Sequence, residues 1–124
     1  MRQNKYLNKK TVVDGITFDS RKEAKYYIYL KQLERDGKIE NLQMQVPYEL
    51  IPAVYEDTVV HLKTKDKVVR KCIQRAVHYY ADFVYLDKET NEIRVIDAKG
   101  FRTKEFILKS KMMLAFKGIK IKEV

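Results

Sequence analysis

The chain has 124 residues, 45% of them apolar, and its 26 lysines and arginines against 17 aspartates and glutamates give a formal charge of +9. That length accommodates one core-forming domain and excludes two, and the apolar content excludes intrinsic disorder. No apolar run approaches the ~20 residues of a membrane span, and the basic start Met1–Lys5 has no apolar segment behind it, so neither a membrane anchor nor a signal peptide is expected.

Cys72 is the single cysteine. An intrachain disulfide and a cysteine-built zinc site are thereby excluded, and a reducing, cytoplasmic compartment is expected. The cationic excess favours a polyanionic partner, nucleic acid above all.

In chain order, residues 1–10 read as a flexible basic arm, and Thr11–Phe18 as a small hairpin turning at Asp14-Gly15. A first helix is expected from Ser20 to Asp36. Ser20 and Glu23 have capping-box spacing, Gly37 is placed to end the helix, and Tyr26, Tyr27, Leu30 and Leu33 form its buried stripe. Glu23 lies on that stripe, where its carboxylate can serve the cap, face the sheet, or do both.

Alternation takes over from Ile39 to Ile51. It places Leu42, Met44, Val46, Tyr48 and Leu50 on one face of a strand and Gln43, Gln45 and Glu49 on the other, with Pro47 marking an edge or a bulge. The tract 52–75 is the least legible and reads as an insertion or loop. Val59–Leu62 and Val68–Val69 are candidate short strands around Lys63–Lys67, and a mobile segment is the alternative.

Tyr79–Tyr85 and Ile93–Lys99 read as two strands joined by the turn-rich Asp87–Glu92. A second helix starts at Thr103, runs through Phe116 and ends at Gly118. Ile119 and Ile121 belong to a last short strand. This order predicts an α/β domain, a mixed β-sheet flanked by helices.

The chemistry sits in the strand pair. Symmetric pairing puts Tyr85 opposite Arg94 and Leu86 opposite Ile93, which carries Asp82 opposite Asp97 with Cβ atoms about 4.5–5.5 Å apart. Like charges placed so are destabilising unless a divalent cation lies between them. The simpler reading pairs Asp82 with Arg94 or Lys99. Lys99 shares a face with Asp97. It is either the salt-bridge partner of Asp97 or a group that orients or deprotonates an attacking water and offsets charge on a phosphorane.

Gly100 would allow a phosphate to approach. Arg102 and Lys104 at the start of the second helix are candidate phosphate contacts. Lys109 and Lys111 either contact a nucleic-acid backbone or snorkel, stems buried and heads in water. His61 and His78 lack ligand spacing, and alternating burial accounts for Tyr79-Tyr80.

Together, Glu23 on an early helix, Asp82 on the first strand of the pair and Asp97-Ala98-Lys99 at the end of the next resemble the PD-(D/E)xK nuclease superfamily. The phrases Phe18–Ala24, Gln45-Val46-Pro47 and Tyr80–Tyr85 resemble, more narrowly, small phage-encoded, Holliday-junction-resolvase-like endonucleases. The resemblance spans Phe18 to Gly118. It departs at Ala81, where the motif's name expects proline, and nothing in it matches 52–75.

The resemblance implies a restriction-endonuclease-like core (helix–three strands–helix–strand) and Mg²⁺- or Mn²⁺-dependent hydrolysis of DNA phosphodiesters, with no small-molecule cofactor. Glu23, Asp82 and Asp97 would hold the metal, Lys99 would be the catalytic lysine, and Gln45 would support the site. The implied substrate is branched or duplex DNA in phage or prophage metabolism and recombination, within the bacterial cytoplasm. A two-fold branched substrate favours a homodimer. The alternatives are a nicking, restriction-like or transposition-end nuclease of the same fold, or a non-catalytic nucleic-acid-binding module.

Overall fold

The structure, a computed structural model, describes residues 10–98 and 101–124. The expected basic arm, apart from the exposed Lys10, and the Lys99-Gly100 pair lie outside the described residues.

Strands β1 (Thr11–Val13) and β2 (Ile16–Phe18) form the expected hairpin. Its two turn residues, Asp14 and Gly15, both have positive φ, 52° and 76°, as the tight turns that match strand twist require. Helix α1 (Arg21–Arg35) follows. The Ser20 hydroxyl accepts from the Glu23 N–H at 3.1 Å, and the chain leaves the helix through Gly37 at φ 73°. Its buried face is Glu23, Ala24, Tyr27 and Leu30, with Tyr26 and Leu33 partly buried beside it. The Tyr27 hydroxyl donates to Asp14 at 3.1 Å and fastens the small hairpin to the helix.

The remaining elements are β3 (Ile39–Ile51), β4 (Val54–His61), β5 (Asp66–Gln74), β6 (Val77–Asp87), β7 (Glu92–Asp97), α2 (Lys104–Met112) and β8 (Lys122–Glu123). The main sheet has the order β3-β6-β7-β8; β3, β6 and β7 pair antiparallel, and β8 joins β7 in parallel. The protein is therefore a mixed α/β fold, and helix, three strands, helix and strand occur in that order around its sheet. Pro47 lies on β3, an edge strand, where a missing N–H is tolerated. Helix α2 is capped by Thr103, whose hydroxyl accepts from the Phe106 N–H at 3.0 Å. It runs into a π-helical turn at Met113–Lys117 and stops at Gly118, φ 67°. Among the described residues no helix is long and apolar enough to cross a membrane.

Two cores lie on opposite faces of the sheet. One joins Phe18, Ala24, Tyr27 and Leu30 to Phe83, Tyr85, Ile96 and Ala98; the other joins Phe106, Met113 and Ile121 to Tyr79, Ala81, Val84 and Val95. Adjacent residues such as Val95 and Ile96 fall in different cores, as alternation along a strand demands.

Besides irregularities between Glu40 and Gln43 and between Glu49 and Ile51, alternation breaks in the middle of β3 and β6. On β3, Leu42 and Met44 pack on the α1 side, but Val46, Tyr48 and Leu50 pack on the α2 side; on β6 the same change separates Phe83 and Tyr85 from Tyr79 and Ala81. The expectation that Leu42 through Leu50 share one face is thus corrected. On β3 the change coincides with Gln45, whose φ of 52° turns that strand over by half a pleat. The pairing is retained through the change, with Met44 opposite Phe83 and Val46 opposite Ala81.

Two further expectations change. Residues 54–74 are not a loop: the two candidate strands around Lys63–Lys67 are present but longer than expected, and β4 with β5 form one two-stranded ribbon, exposed at every position. The last strand is shorter than expected and begins at Lys122, just after the buried Ile121.

Candidate acidic site at the strand switch

The place where both strands change faces is where the acidic residues meet. Gln45 lies on β3 between Met44 and Val46, whose partners on β6 flank Asp82. Its side-chain amide donates to Glu23 Oε1 at 3.2 Å and to Asp82 Oδ1 at 3.1 Å. One amide group thus links a carboxylate of α1 to a carboxylate of the central sheet. The other Asp82 oxygen accepts from the Ala98 backbone N–H at 2.9 Å. A left-handed backbone on a residue other than glycine is strained, and such strain persists only where surrounding contacts over-determine it. Here the two amide hydrogen bonds hold Gln45 in place.

The β6–β7 ladder has the expected register, with Tyr85 opposite Arg94, Leu86 opposite Ile93 and Phe83 opposite Ile96. Continued by one pair it brings Asp82 to Asp97, but there the Ala98 N–H is given to the Asp82 carboxylate. Asp97 is fully buried, and its strand neighbours Ile96 and Ala98 pack in the core on the α1 face. Its Oδ2 accepts from the Tyr79 hydroxyl at 2.7 Å. Burial foremost, and then the hydrogen bond to Asp97 and the fields of Asp97 and Asp82, push the Tyr79 phenol far above its usual range. The hydroxyl stays protonated at any working pH and is a dedicated donor to Asp97.

Glu23, Asp82 and Asp97 are the buried charged side chains among the described residues. Burying a carboxylate is costly, so three from three elements is an arrangement that folding alone does not favour. Among the described residues no group of three His, Cys, Asp or Glu side chains stands ready-made around a cation position. The donor chemistry nonetheless fits a hard cation, because the available ligands are carboxylate oxygens, which Mg²⁺ and Mn²⁺ prefer. The Gln45 amide donates to both Glu23 and Asp82.

Tyr79 is a site residue that sequence reasoning missed. Simple alternation sets it on the face opposite Asp82, and only the strand switch brings its hydroxyl to Asp97. Its ring also lines a cleft of about 220 Å³ with Tyr80, Thr103, Glu105, Phe106 and Lys109.

Of the expected phosphate contacts, Lys109 is partly covered and ion-paired with Glu105 at 2.9 Å, and Arg102 pairs with Glu123 at 2.9 Å. Lys104 and Lys111 are exposed on α2. Lys99 lies outside the described residues. His61 lies 2.7 Å from the exposed Asp66 and His78 4.0 Å from the exposed Glu49, rather than at the acidic site.

Fold and site together define a mixed α/β protein with a buried acidic cluster where a sheet changes faces. Residues 3–124 match the family described as protein of unknown function DUF1064, and the chain belongs to that family. No curated protein and no solved structure matches it.

Proposed function

We propose that this protein is a metal-dependent DNA endonuclease of restriction-endonuclease-like fold, acting on branched or otherwise structured DNA. The observation that carries the reading is the burial of Glu23, Asp82 and Asp97, the buried charged side chains among the described residues, on α1 and the neighbouring strands β6 and β7. These are the three carboxylates that the resemblance to PD-(D/E)xK nucleases assigns to metal. The order of helix, three strands, helix and strand around the sheet supports the same reading, as does the cationic excess of the chain.

Glu23, Asp82 and Asp97 would hold the ion, which supplies polarisation of a phosphoryl oxygen and acidification of a coordinated water. The protein's own groups prepare the site. The Ala98 N–H fixes Asp82, and the Tyr79 hydroxyl orients Asp97 while itself remaining protonated. Gln45 spaces Glu23 from Asp82. Lys99 is the group proposed to orient or deprotonate the water, two residues after Asp97 in the chain.

The test uses a four-way junction, a duplex and a single strand with Mg²⁺, Mn²⁺ or EDTA. Cleavage should require metal and be abolished by Asp82→Asn, Asp97→Asn or Lys99→Ala, with DNA binding retained. Unchanged cleavage in all three variants excludes the site. One observation favours a second reading, a non-catalytic nucleic-acid-binding module: the Gln45 amide already satisfies two of the carboxylates without any cation. Salt-sensitive binding without cleavage of any substrate would establish that reading instead.

A further inference from the structure

The ribbon of β4 and β5 takes no part in either core and is exposed along its whole length. It leaves the sheet at a hairpin end, since Ile51 and Val77, which flank it, are themselves paired. Eight residues of strand at ~3.3 Å each make it about 26 Å long. An isolated two-stranded ribbon is marginally stable in water, and its exposed Val60, Leu62 and Val69 await a cover.

The two faces of the ribbon differ. On one, charges are met within the face: His61 Nδ1 lies 2.7 Å from Asp66, and the Arg70 guanidinium lies 4.1 Å from the centre of the Tyr55 ring. On the other, cross-strand pairing sets Lys67 opposite Val60, Val69 opposite Thr58 and Lys71 opposite Glu56, and the Leu62 N–H bonds to Lys65 at the tip. That face carries Lys65, Lys67 and Lys71 against one acid, Glu56, and none of the three lysines is ion-paired with a described residue. Lysines alternating with short aliphatic side chains suit phosphates at a groove's rim and sugar or thymine-methyl surface within it.

We infer that this ribbon is a DNA-gripping arm whose Lys65–Lys67–Lys71 face enters the major groove of duplex DNA. A B-form major groove is about 12 Å wide and admits a two-stranded ribbon, whereas the deep, narrow major groove of A-form RNA does not. The positive face also opposes a second copy of itself, so charge complementarity selects DNA over self-pairing. The inference rests on the nuclease reading for its choice of DNA, but uses a different surface from the acidic site.

The experiment measures binding of a 25-bp DNA duplex and the equivalent RNA duplex in EDTA across a salt series. It uses the full chain, the triple variant Lys65→Ser/Lys67→Ser/Lys71→Ser, and a variant with residues 53–75 replaced by a two-residue turn. Removing three phosphate contacts should flatten the slope of log K against log[salt] by about 2.7 and weaken DNA binding at least about tenfold. The turn variant should match that loss with both cores intact by thermal unfolding, and RNA should bind more weakly than DNA to the full chain.

Unchanged slope and affinity in both variants overturn the inference. So does a ribbon deletion that turns a dimer into a monomer at unaltered DNA affinity, which would make the ribbon an interface between copies. Ribbon-dependent binding with no cleavage under any metal leaves the arm standing and removes the nuclease reading. Cleavage that persists without ribbon-dependent binding does the reverse.

Discussion

The Tyr79 hydroxyl lies 2.7 Å from Asp97 Oδ2, so one hydrogen bond joins a central strand to the most deeply buried carboxylate of its neighbour. Tyr79 also packs its ring near Phe106, with centroids 6.3 Å apart, and so ties the acidic site to α2. Tyr79→Phe keeps the ring and removes the donor from a buried acceptor. Stability should fall by about 1–3 kcal/mol, read by chemical denaturation. The cost should shrink in an Asp97→Asn background. Equal costs in the two backgrounds would show that the hydrogen bond is not responsible.

Gln45→Glu would replace an amide donor by a third negative charge between Glu23 and Asp82. At neutral pH the variant should unfold several degrees below the parent, about 4 °C for each kcal/mol lost in a chain this size. Mn²⁺ should raise its melting temperature more than the parent's. A variant indifferent to divalent cations would count against metal affinity at this position.

The Lys31–Glu34 pair, 3.0 Å apart and about one-third exposed, sets a pH dependence remote from the site. The Lys31 hydrogen bond holds the Glu34 carboxyl below its usual 4.5, and the Leu42 N–H also bonds to it. The group is more acidic folded than unfolded, so its stabilisation is present above about pH 4.5 and is lost as pH falls through the lowered folded value. Lys31, held above 10.5 chiefly by the Glu34 hydrogen bond, keeps its share below that pH and loses it as pH rises through the raised value. Glu34→Gln should cost about 0.2–1 kcal/mol at pH 7 and much less at pH 3. A deficit that is the same at both pH values would contradict this assignment.

Gly118 ends the π-helical turn at φ 67°, and a Cβ added there would meet nothing within 4 Å. Gly118→Ala therefore tests backbone conformation without a clash. It should destabilise by about 1 kcal/mol, whereas Gly118→Asn, which tolerates that region, should cost less. A neutral alanine variant would show that the chain can leave the helix in another way.

Much of this architecture was readable from local patterns. Ser20 and Gly37 bound α1, Thr103 and Gly118 bound the second helical segment, Asp14-Gly15 makes a turn, and the register of β6 with β7 follows from the length of their link. Glu23 and Asp82 were legible as carboxylates among apolar neighbours, and Gln45 through the resemblance. The ribbon was legible only as two candidate short strands, and its length was not, because its strands satisfy no core and their exposed, mixed composition carries no burial period. Tyr79 was hidden for another reason. Its hydroxyl reaches Asp97 because β6 changes faces between Ala81 and Phe83, against the simple period of a strand.

By itself the amino-acid order determined the caps, the turns, the helical stripe and the type of chemistry the acidic residues offer, since each depends on neighbours a few positions away. Only the tertiary structure decided that the sheet changes faces at Gln45, and that Tyr79 serves Asp97. It also decided that residues 54–74 stand clear of both cores. Those outcomes arise from contacts between residues tens of positions apart, where packing overrides the simple period of a strand.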